Sequence, residues 1–319
     1  MAITPSQEKQ AARVLVDKIT SGDERLVKEA ASSLDKFIRK TFKETSFSDK
    51  ILEPVTITPD DFYQSLDSDK PQVLLEIEPE YRGITDMAFN TPAPIMTFGA
   101  KRTLVGIDRI KSHRLRKEVL ELASWSVSLR DIMADFQLKE LMTHKDTRFM
   151  KAIAACVGSK PNTVMAATNS VHYHQVYGGL THNALAESLK YIPRLGRDEN
   201  GLNSKTLLMN SVTFKEFAKW QPLTAGEKFT TDILNNGLQA VESGVFGCKF
   251  IQTIKRGLVP DGVVWHFGDP SFLGRAYELT PPTMIIKNRD HSVEFSIFTE
   301  IGGALFVYLG IAKVEYPGV

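Results

Sequence analysis

Three histidines stand close together in the sequence and could provide a metal site. His172 and His174 are two residues apart, and His182 follows eight residues later. Two histidines at i and i+2 point to the same side of a strand and can share a zinc ion, as a metal-dependent hydrolase would require. No Asp, Glu or Cys stands at a companion spacing, and the neighbouring glycines and small polar residues are typical of a loop. We therefore expect loop histidines in contact with solvent and no metal, and we keep the hydrolase as an alternative.

Other catalytic motifs are missing from the sequence. Its glycines do not form the G-x-G-x-x-G or G-x-x-x-x-G-K-[ST] loops that hold phosphates, and no G-x-S-x-G turn presents a serine nucleophile. Cys156 and Cys248 are far apart, so neither a disulfide framework nor a zinc knuckle is indicated. These observations predict a protein that is not an enzyme, needs no cofactor and acts through its surfaces.

A basic segment at 101–117 could contact DNA, since it holds seven Lys or Arg residues against one Asp. The whole chain carries a formal net charge of only +1, and no aromatic residues interleave with these cations. A solvated strand face, or salt bridges to a neighbouring subunit, is therefore the favoured interpretation.

The composition is that of a globular protein. Of 319 residues, 42% are hydrophobic and 24% are charged, which leaves ample material for a buried core. No run approaches about 18 consecutive apolar residues, and the first residues lack the pattern of a secretion signal. We expect a soluble protein that folds in a reducing compartment and does not enter a membrane.

The elements that would position any functional residue begin with a predicted helix at 128–158. No Gly or Pro interrupts the run, so it predicts a rod of about 45 Å. Its charged residues, among them Asp135, Lys145 and Asp146, are expected on the solvent face. Its apolar stripe drifts along the helix and consists of Leu129, Ile132, Met133, Phe136, Leu141, Met142, Phe149, Met150, Ile153 and Val157.

Two further segments are apolar but have nothing evident in the chain to pack on. Segment 83–100 holds one charge, with prolines and glycines that argue against a helix, and is followed by an alternating strand that returns from it as part of a long hairpin. Segment 6–43 predicts helix with its own apolar stripe. The apolar residues concerned are Met87, Phe89, Ile95, Met96 and Phe98 in the first segment, and Leu26, Val27, Ala30, Leu34, Phe37, Ile38 and Phe42 in the second.

Strand and helix patterns alternate through the second half, which makes the chain a mixed α+β protein. The order of these parts resembles the major capsid proteins of tailed bacteriophages, which have the Hong Kong 97-like fold. The resemblance covers about residues 45 to 316. The stretches that carry it are 51–58, 66–71, 101–110, 131–132, 145–153, 207–210, 259–267, 270–275, 300–303 and 310–314.

The resemblance implies a particular organisation of the chain. It implies an N-terminal helical arm at 1–50, an extended loop at 79–103 and an axial domain at 166–270. The peripheral domain would comprise 51–78 and 104–165, with the helix at 128–158 as its spine. Residues 271–319 would supply strands that return to both domains.

The resemblance also implies a function. Such a subunit assembles with itself into hexamers and pentamers, which close as an icosahedral shell around double-stranded DNA inside the host cytoplasm. Its partners would include a portal, a scaffold and possible decoration proteins, with DNA bound without sequence specificity. We expect the loop and the arm residues Leu34, Phe37 and Ile38 to bury on neighbouring subunits, and Arg102, Arg109 and Arg114 to bridge to acidic partners there. An encapsulin-like nanocompartment shell is the alternative with the same fold.

Overall fold

A computed structural model describes residue 25 and residues 46–64, 69–77, 101–124, 129–158, 172–195, 202–220, 246–289, 291–305 and 308–318. The helices are α1 Ser48–Ile51, α2 Val119–Ser124, α3 Leu129–Val157, α4 His182–Ser188, α5 Tyr191–Leu195, α6 Ser211–Phe214 and α7 Pro270–Leu273. The strands are β1 Pro54–Thr56, β2 Gln72–Ile77, β3 Lys101–Gly106, β4 Asp108–Lys111, β5 Leu115–Glu118, β6 Tyr173–Gln175, β7 Thr206–Asn210, β8 Lys249–Thr253, β9 Val263–Phe267, β10 Gly274–Arg289, β11 Ser292–Leu305 and β12 Ile311–Glu315.

The first sheet is built on the long antiparallel pair β10 and β11. Strand β1 adds to β10 in parallel, while β4 and β5 both pair with β11 in antiparallel fashion. The second sheet has the order β6-β12-β9-β7-β8. Every residue of β7 and β9 is buried, as expected for apolar strands at the centre of a sheet that is covered on both faces.

The helix α3 joins the two sheets. Its N-terminal half packs Leu138 and Leu141 with Phe295 of the first sheet, and its C-terminal half packs Ile153 with Phe267 of the second. The predicted helix at 128–158 is thus present within one residue at each end. Because the two halves face different sheets, the apolar stripe shifts around the helix axis from one half to the other. None of the helices in the described part of the chain is long and apolar enough to cross a membrane.

Two expectations about this helix were wrong. Lys145 is 8% exposed and Asp146 is fully buried, although both were expected in solvent. They follow Leu141 and Met142 by four residues, which places them on the buried stripe. Phe136, assigned to that stripe, is 63% exposed instead.

The place in the core expected for Phe136 is taken by its neighbour Gln137. Gln137 is 1% exposed, and its side-chain amide donates to the carbonyl of His113 at 2.9 Å and to that of Phe295 at 3.0 Å. A buried amide is tolerated there because its N–H groups have backbone acceptors. The glutamine therefore links the connection between β4 and β5, and strand β11, to the helix.

Strands β2 and β3 form a separate two-stranded hairpin stem. Their register runs from Gln72 opposite Gly106 to Ile77 opposite Lys101. Alternate residues are buried and pack on Tyr277 of β10, which fixes the stem to the first sheet. The stem ends where segment 78–100 begins.

Candidate functional site

The hairpin stem places Ile77 opposite Lys101, the two residues that flank segment 78–100. Val73 and Leu75 on one strand and Val105 on the other are each 7% exposed or less, so the base of the stem is held in the core. The five apolar loop residues, Met87, Phe89, Ile95, Met96 and Phe98, lie outside the described residues, as do the arm residues Leu34, Phe37 and Ile38. Their predicted contacts with other subunits therefore stay predictions.

Residues 46–48 are held to the long helix by a buried carboxylate. Asp146 accepts from the Ser46 hydroxyl at 3.0 Å and from the Ser48 backbone N–H at 3.2 Å. The Lys255 ammonium donates to its other oxygen at 2.6 Å. Because the Asp146 side chain is fully buried, these three donors replace its water shell.

A second ion pair lies next to this carboxylate. The Lys145 ammonium contacts the carboxylate of Asp49, and the two side chains are 9% and 10% exposed. Burial raises the pKa of the Asp49 carboxyl, while the attraction of Lys145 opposes that rise. The Lys255 ammonium also lies 5.7 Å from the centre of the Phe47 ring. Two anions and two cations therefore fasten residues 46–49 to the long helix.

Sequence reasoning missed this network because it assigned charged residues to solvent. The available signal was the helical spacing of Lys145 and Asp146 from buried apolar residues. A buried acid on an apolar stripe needs a cation beside it, yet the sequence does not reveal that the partly buried Lys255 supplies it from 109 residues away.

The three arginines predicted to contact other subunits all lie on strands or the adjoining turn of the first sheet or the stem. Each pairs with a carboxylate of its own chain and keeps more than half of its side chain exposed. Each guanidinium thus already forms an ion pair within the subunit. Its contact with another subunit stays a prediction. The pairs are Arg102 with Glu76 at 3.0 Å, Arg109 with Glu300 at 2.5 Å and Arg114 with Glu294 at 3.8 Å.

The ion pair between Arg109 and Glu300 has the shortest distance of the three. Glu300 lies directly across the ladder from Arg109 and also accepts from the Thr280 hydroxyl at 2.5 Å. Burial opposes ionisation, but these hydrogen bonds from Thr280 and Arg109 lower the pKa of the Glu300 carboxyl. The carboxylate is therefore charged at neutral pH, and Arg109 stays aligned along the edge of the sheet.

The histidines do not converge on a site. His172 is 7% exposed, with its Nδ1 atom 2.8 Å from the Ile311 carbonyl oxygen, and His174 stacks on the Tyr191 ring at 3.8 Å between centroids. His182 begins α4 and packs on aromatic side chains. The expectation of solvent-exposed loop histidines was wrong, because the first two belong to the packing of the second sheet. Among the described residues, no group of three or more His, Cys, Asp or Glu side chains could hold a metal ion.

A fourth histidine, on β9, was not singled out from the sequence. His266 is fully buried, and its Nδ1 atom lies 3.5 Å from the Ser204 hydroxyl. Burial, with a smaller contribution from His174, lowers the pKa of His266 to about 3. The imidazole is therefore neutral in the folded protein at any ordinary pH.

No protein-family model matches the sequence, and no curated protein matches it. Solved structures do match. A chain of the mature capsid of bacteriophage PhiM1 superposes with a TM-score of 0.54 at 10% identity, over 86% of this chain and 88% of that chain. A chain of Mycobacterium phage Bobi gives a TM-score of 0.53 at 12% identity, over 86% and 91% respectively.

A virus-like particle from Pyrococcus furiosus also matches. Its TM-score is 0.50 at 12% identity, over 90% of this chain and 100% of that chain. At such identities the similarity shows the fold. The chain has the Hong Kong 97-like fold found in phage major capsid proteins, and the mixed α+β architecture predicted from the sequence is confirmed.

Proposed function

We propose that this protein is the major capsid protein of a tailed phage and that copies of it assemble into hexamers and pentamers of an icosahedral shell around double-stranded DNA. The observation that carries the proposal is the fold match, which extends over 86% of this chain and at least 88% of the two phage chains. The protein acts as a structural subunit rather than as an enzyme.

The geometry suggests how one subunit would hold the next. A ring of identical subunits needs unlike surfaces on opposite sides of each copy, and closure of the ring saturates them. Strands β2 and β3 bring together Ile77 and Lys101, the residues that flank the apolar segment 78–100, and Asp146 holds Ser46, near the end of the proposed arm. In this proposal, the apolar segment 78–100 and the arm supply such unlike surfaces, and each is joined to a part of the chain that is held in the core.

The remaining expectations belong to the same proposal. The second sheet with 166–270 forms the axial domain around the capsomer axis, and α3 is the spine of the peripheral domain. The shell assembles in the host cytoplasm with a portal, a scaffold and possible decoration proteins, and it contacts packaged DNA without sequence specificity. Arg102, Arg109 and Arg114 add ion pairs to acidic groups of adjacent subunits.

The proposal predicts closed particles, and electron microscopy of the purified protein tests it. Full-length chain expressed in bacteria should form shells of uniform diameter in negative stain. A protein that stays monomeric at high concentration, with no particles under any ionic condition tried, would overturn the proposal.

A second candidate is a nanocompartment shell that encloses a protein cargo. It is favoured by the match to the Pyrococcus furiosus virus-like particle, in which the whole of that chain is covered. Particles from the natural source separate the two functions. DNA resistant to nuclease together with a portal indicates a phage capsid, whereas a co-purifying enzyme without DNA indicates the nanocompartment.

The apolar loop gives the first mutational prediction. Changing Phe89 and Phe98 together to Asp should reduce particle yield at least tenfold, because each buried phenylalanine contributes about 1.5–3 kcal/mol and the loss recurs in every subunit. The double change of the same residues to Leu is the control and should retain particles. Yield is measured by sedimentation and counted in negative stain. Equal yields from the Asp and Leu variants would show that the loop does not contribute to particle assembly.

A further inference from the structure

The ion pair between Asp49 of α1 and Lys145 of α3 lies almost entirely out of contact with water. The Lys145 ammonium contacts the Asp49 carboxylate, and the two side chains are 9% and 10% exposed. Phe47 and Ile51, two residues to either side of Asp49, are 3% and 2% exposed. In the part of the chain that the structure describes, no other pair of a lysine and a carboxylate has both side chains as well buried. A primary amine and a carboxyl group are therefore held together in a nearly dry site.

Such a site favours the uncharged forms of both groups. When water is excluded, the ammonium can pass a proton to the carboxylate, which leaves a neutral amine beside a carboxylic acid. Burial raises the pKa of the Asp49 carboxyl; Lys145 opposes the rise, and the negative charge of Asp146 adds to it. A neutral lysine amine is a nucleophile, and a carboxylic acid is the form of the carboxyl group that it can attack.

Ser46 and Asp146 lie beside the pair, where they can carry protons. The Ser46 hydroxyl donates to Asp146 at 3.0 Å and is also within hydrogen-bond reach of the Asp49 carboxyl. The other oxygen of Asp146 accepts from the Lys255 ammonium at 2.6 Å. A carboxylate connected to the reacting groups through one hydroxyl can accept a proton from the amine and return it to the leaving oxygen. Because Lys255 stays paired with Asp146, the cluster remains neutral when Lys145 and Asp49 lose their charges together.

We propose that Lys145 and Asp49 join in an isopeptide bond within the chain. The Nζ atom of Lys145 attacks Cγ of Asp49, a C–N bond forms, and the bond from Cγ to one carboxyl oxygen breaks. The ammonium gives up two protons, and both leave with that oxygen as one water molecule, so no oxidant or cofactor is consumed. Groups held in contact react as if present at about 10⁵–10⁸ M, and the exclusion of water slows the reverse hydrolysis.

The bond fastens α1 to α3 permanently. The joined residues are 96 apart in the sequence, so the amide closes a large loop of the chain. A salt bridge is lost whenever the fold opens locally, whereas the amide keeps Asp49 on the helix in every state of the protein. This inference goes beyond the proposed function, and it holds whether or not the chain forms shells.

Intact mass spectrometry of the full-length chain tests the proposal. The folded protein is isolated by size-exclusion chromatography and denatured, and its mass is compared with the mass that its sequence gives. The wild type should have lost one water molecule. Lys145→Arg keeps the positive charge but lacks the amine, and it should show its full mass. A wild-type protein that has lost no water would overturn the proposal, and so would an equal loss of water from Lys145→Arg.

Tryptic digestion locates the bond. Trypsin should not cleave after Lys145, and peptides 44–50 and 140–148 should be recovered as one branched species. Lys190 is the internal control, because it contacts Glu187 at 2.6 Å but its side chain is 59% exposed, so trypsin should cleave after it. Complete cleavage after Lys145, with peptide 44–50 recovered alone, would contradict the bond.

The proposed proton route is tested with Asp146→Asn. This change keeps the shape of the side chain but removes its basicity, so the bonded fraction of the folded protein should fall about tenfold or more. Asp60→Asn is the matched control at an exposed position and should be bonded as fully as the wild type. Full bonding in Asp146→Asn would reject the role of Asp146 and leave proton transfer to Ser46 and the reacting pair.

Discussion

Replacing Asp146 by alanine is expected to lower the free energy of unfolding by about 3–5 kcal/mol, which is the usual effect of removing one partner from a buried ion pair. The carboxylate is fully buried, and its loss leaves the Lys255 ammonium without its partner at 2.6 Å. It also leaves the Ser46 hydroxyl and the Ser48 N–H without their acceptor. The free energy lost is large because both the charge and the polar donors stay in place after the change.

Calorimetry at one scan rate and one protein concentration measures this effect. The midpoint of thermal unfolding should fall by about 5–10 °C for a chain of this size. Asp60→Ala is the matched control, because Asp60 is exposed and should shift stability by no more than about 0.5 kcal/mol. Equal midpoints for the two variants would show that the buried network does not stabilise the fold. Because Asp146 holds Ser46 and Ser48, Asp146→Ala should also increase proteolysis just before Ser46.

Acidification should destabilise the protein through His266. Its pKa is about 3 in the folded protein against 6.5 for an ordinary histidine, so the unfolded chain binds a proton that the folded chain excludes. This stabilising contribution is complete above pH 6.5 and is lost as the pH falls from there toward 3. The slope is about 1.4 kcal/mol per pH unit, which gives a loss of about 2 kcal/mol at pH 5.

The effect is measured as the difference in stability between the wild type and His266→Met at pH 7 and at pH 5. The variant is less stable than the wild type at pH 7 because the core is altered. Between pH 7 and pH 5, however, its free energy of unfolding should fall by about 2 kcal/mol less than that of the wild type. His291→Gln, in the exposed turn between β10 and β11, is the control and should follow the wild type. Parallel profiles for the wild type and His266→Met would show that another group causes acid unfolding.

Much of the architecture could be predicted from periodicity. The uninterrupted run at 128–158 predicts a long helix, and the structure has Leu129–Val157. The apolar runs at 206–210 and 263–267 predict strands, and both are buried strands of the second sheet. The sequence at 181–195 predicts one helix, whereas the structure has α4 and α5 with residues 189 and 190 as a turn between them. A local pattern predicts an element correctly where one backbone conformation both forms the hydrogen bonds and buries the apolar side chains.

The sequence by itself determined the nature of the elements: a long helix with a drifting stripe, and buried strands. It also contains two apolar segments, whose burial on neighbouring subunits stays a prediction. Only the tertiary structure decided which polar groups enter the core. Gln137, Asp146 and His266 are buried because distant residues meet them, namely a carbonyl of β11, Lys255 and the packing around Ser204. A polar group is buried where a partner completes its hydrogen bonds. When that partner lies far away in the chain, the sequence around the polar group shows no periodic pattern that would predict the burial.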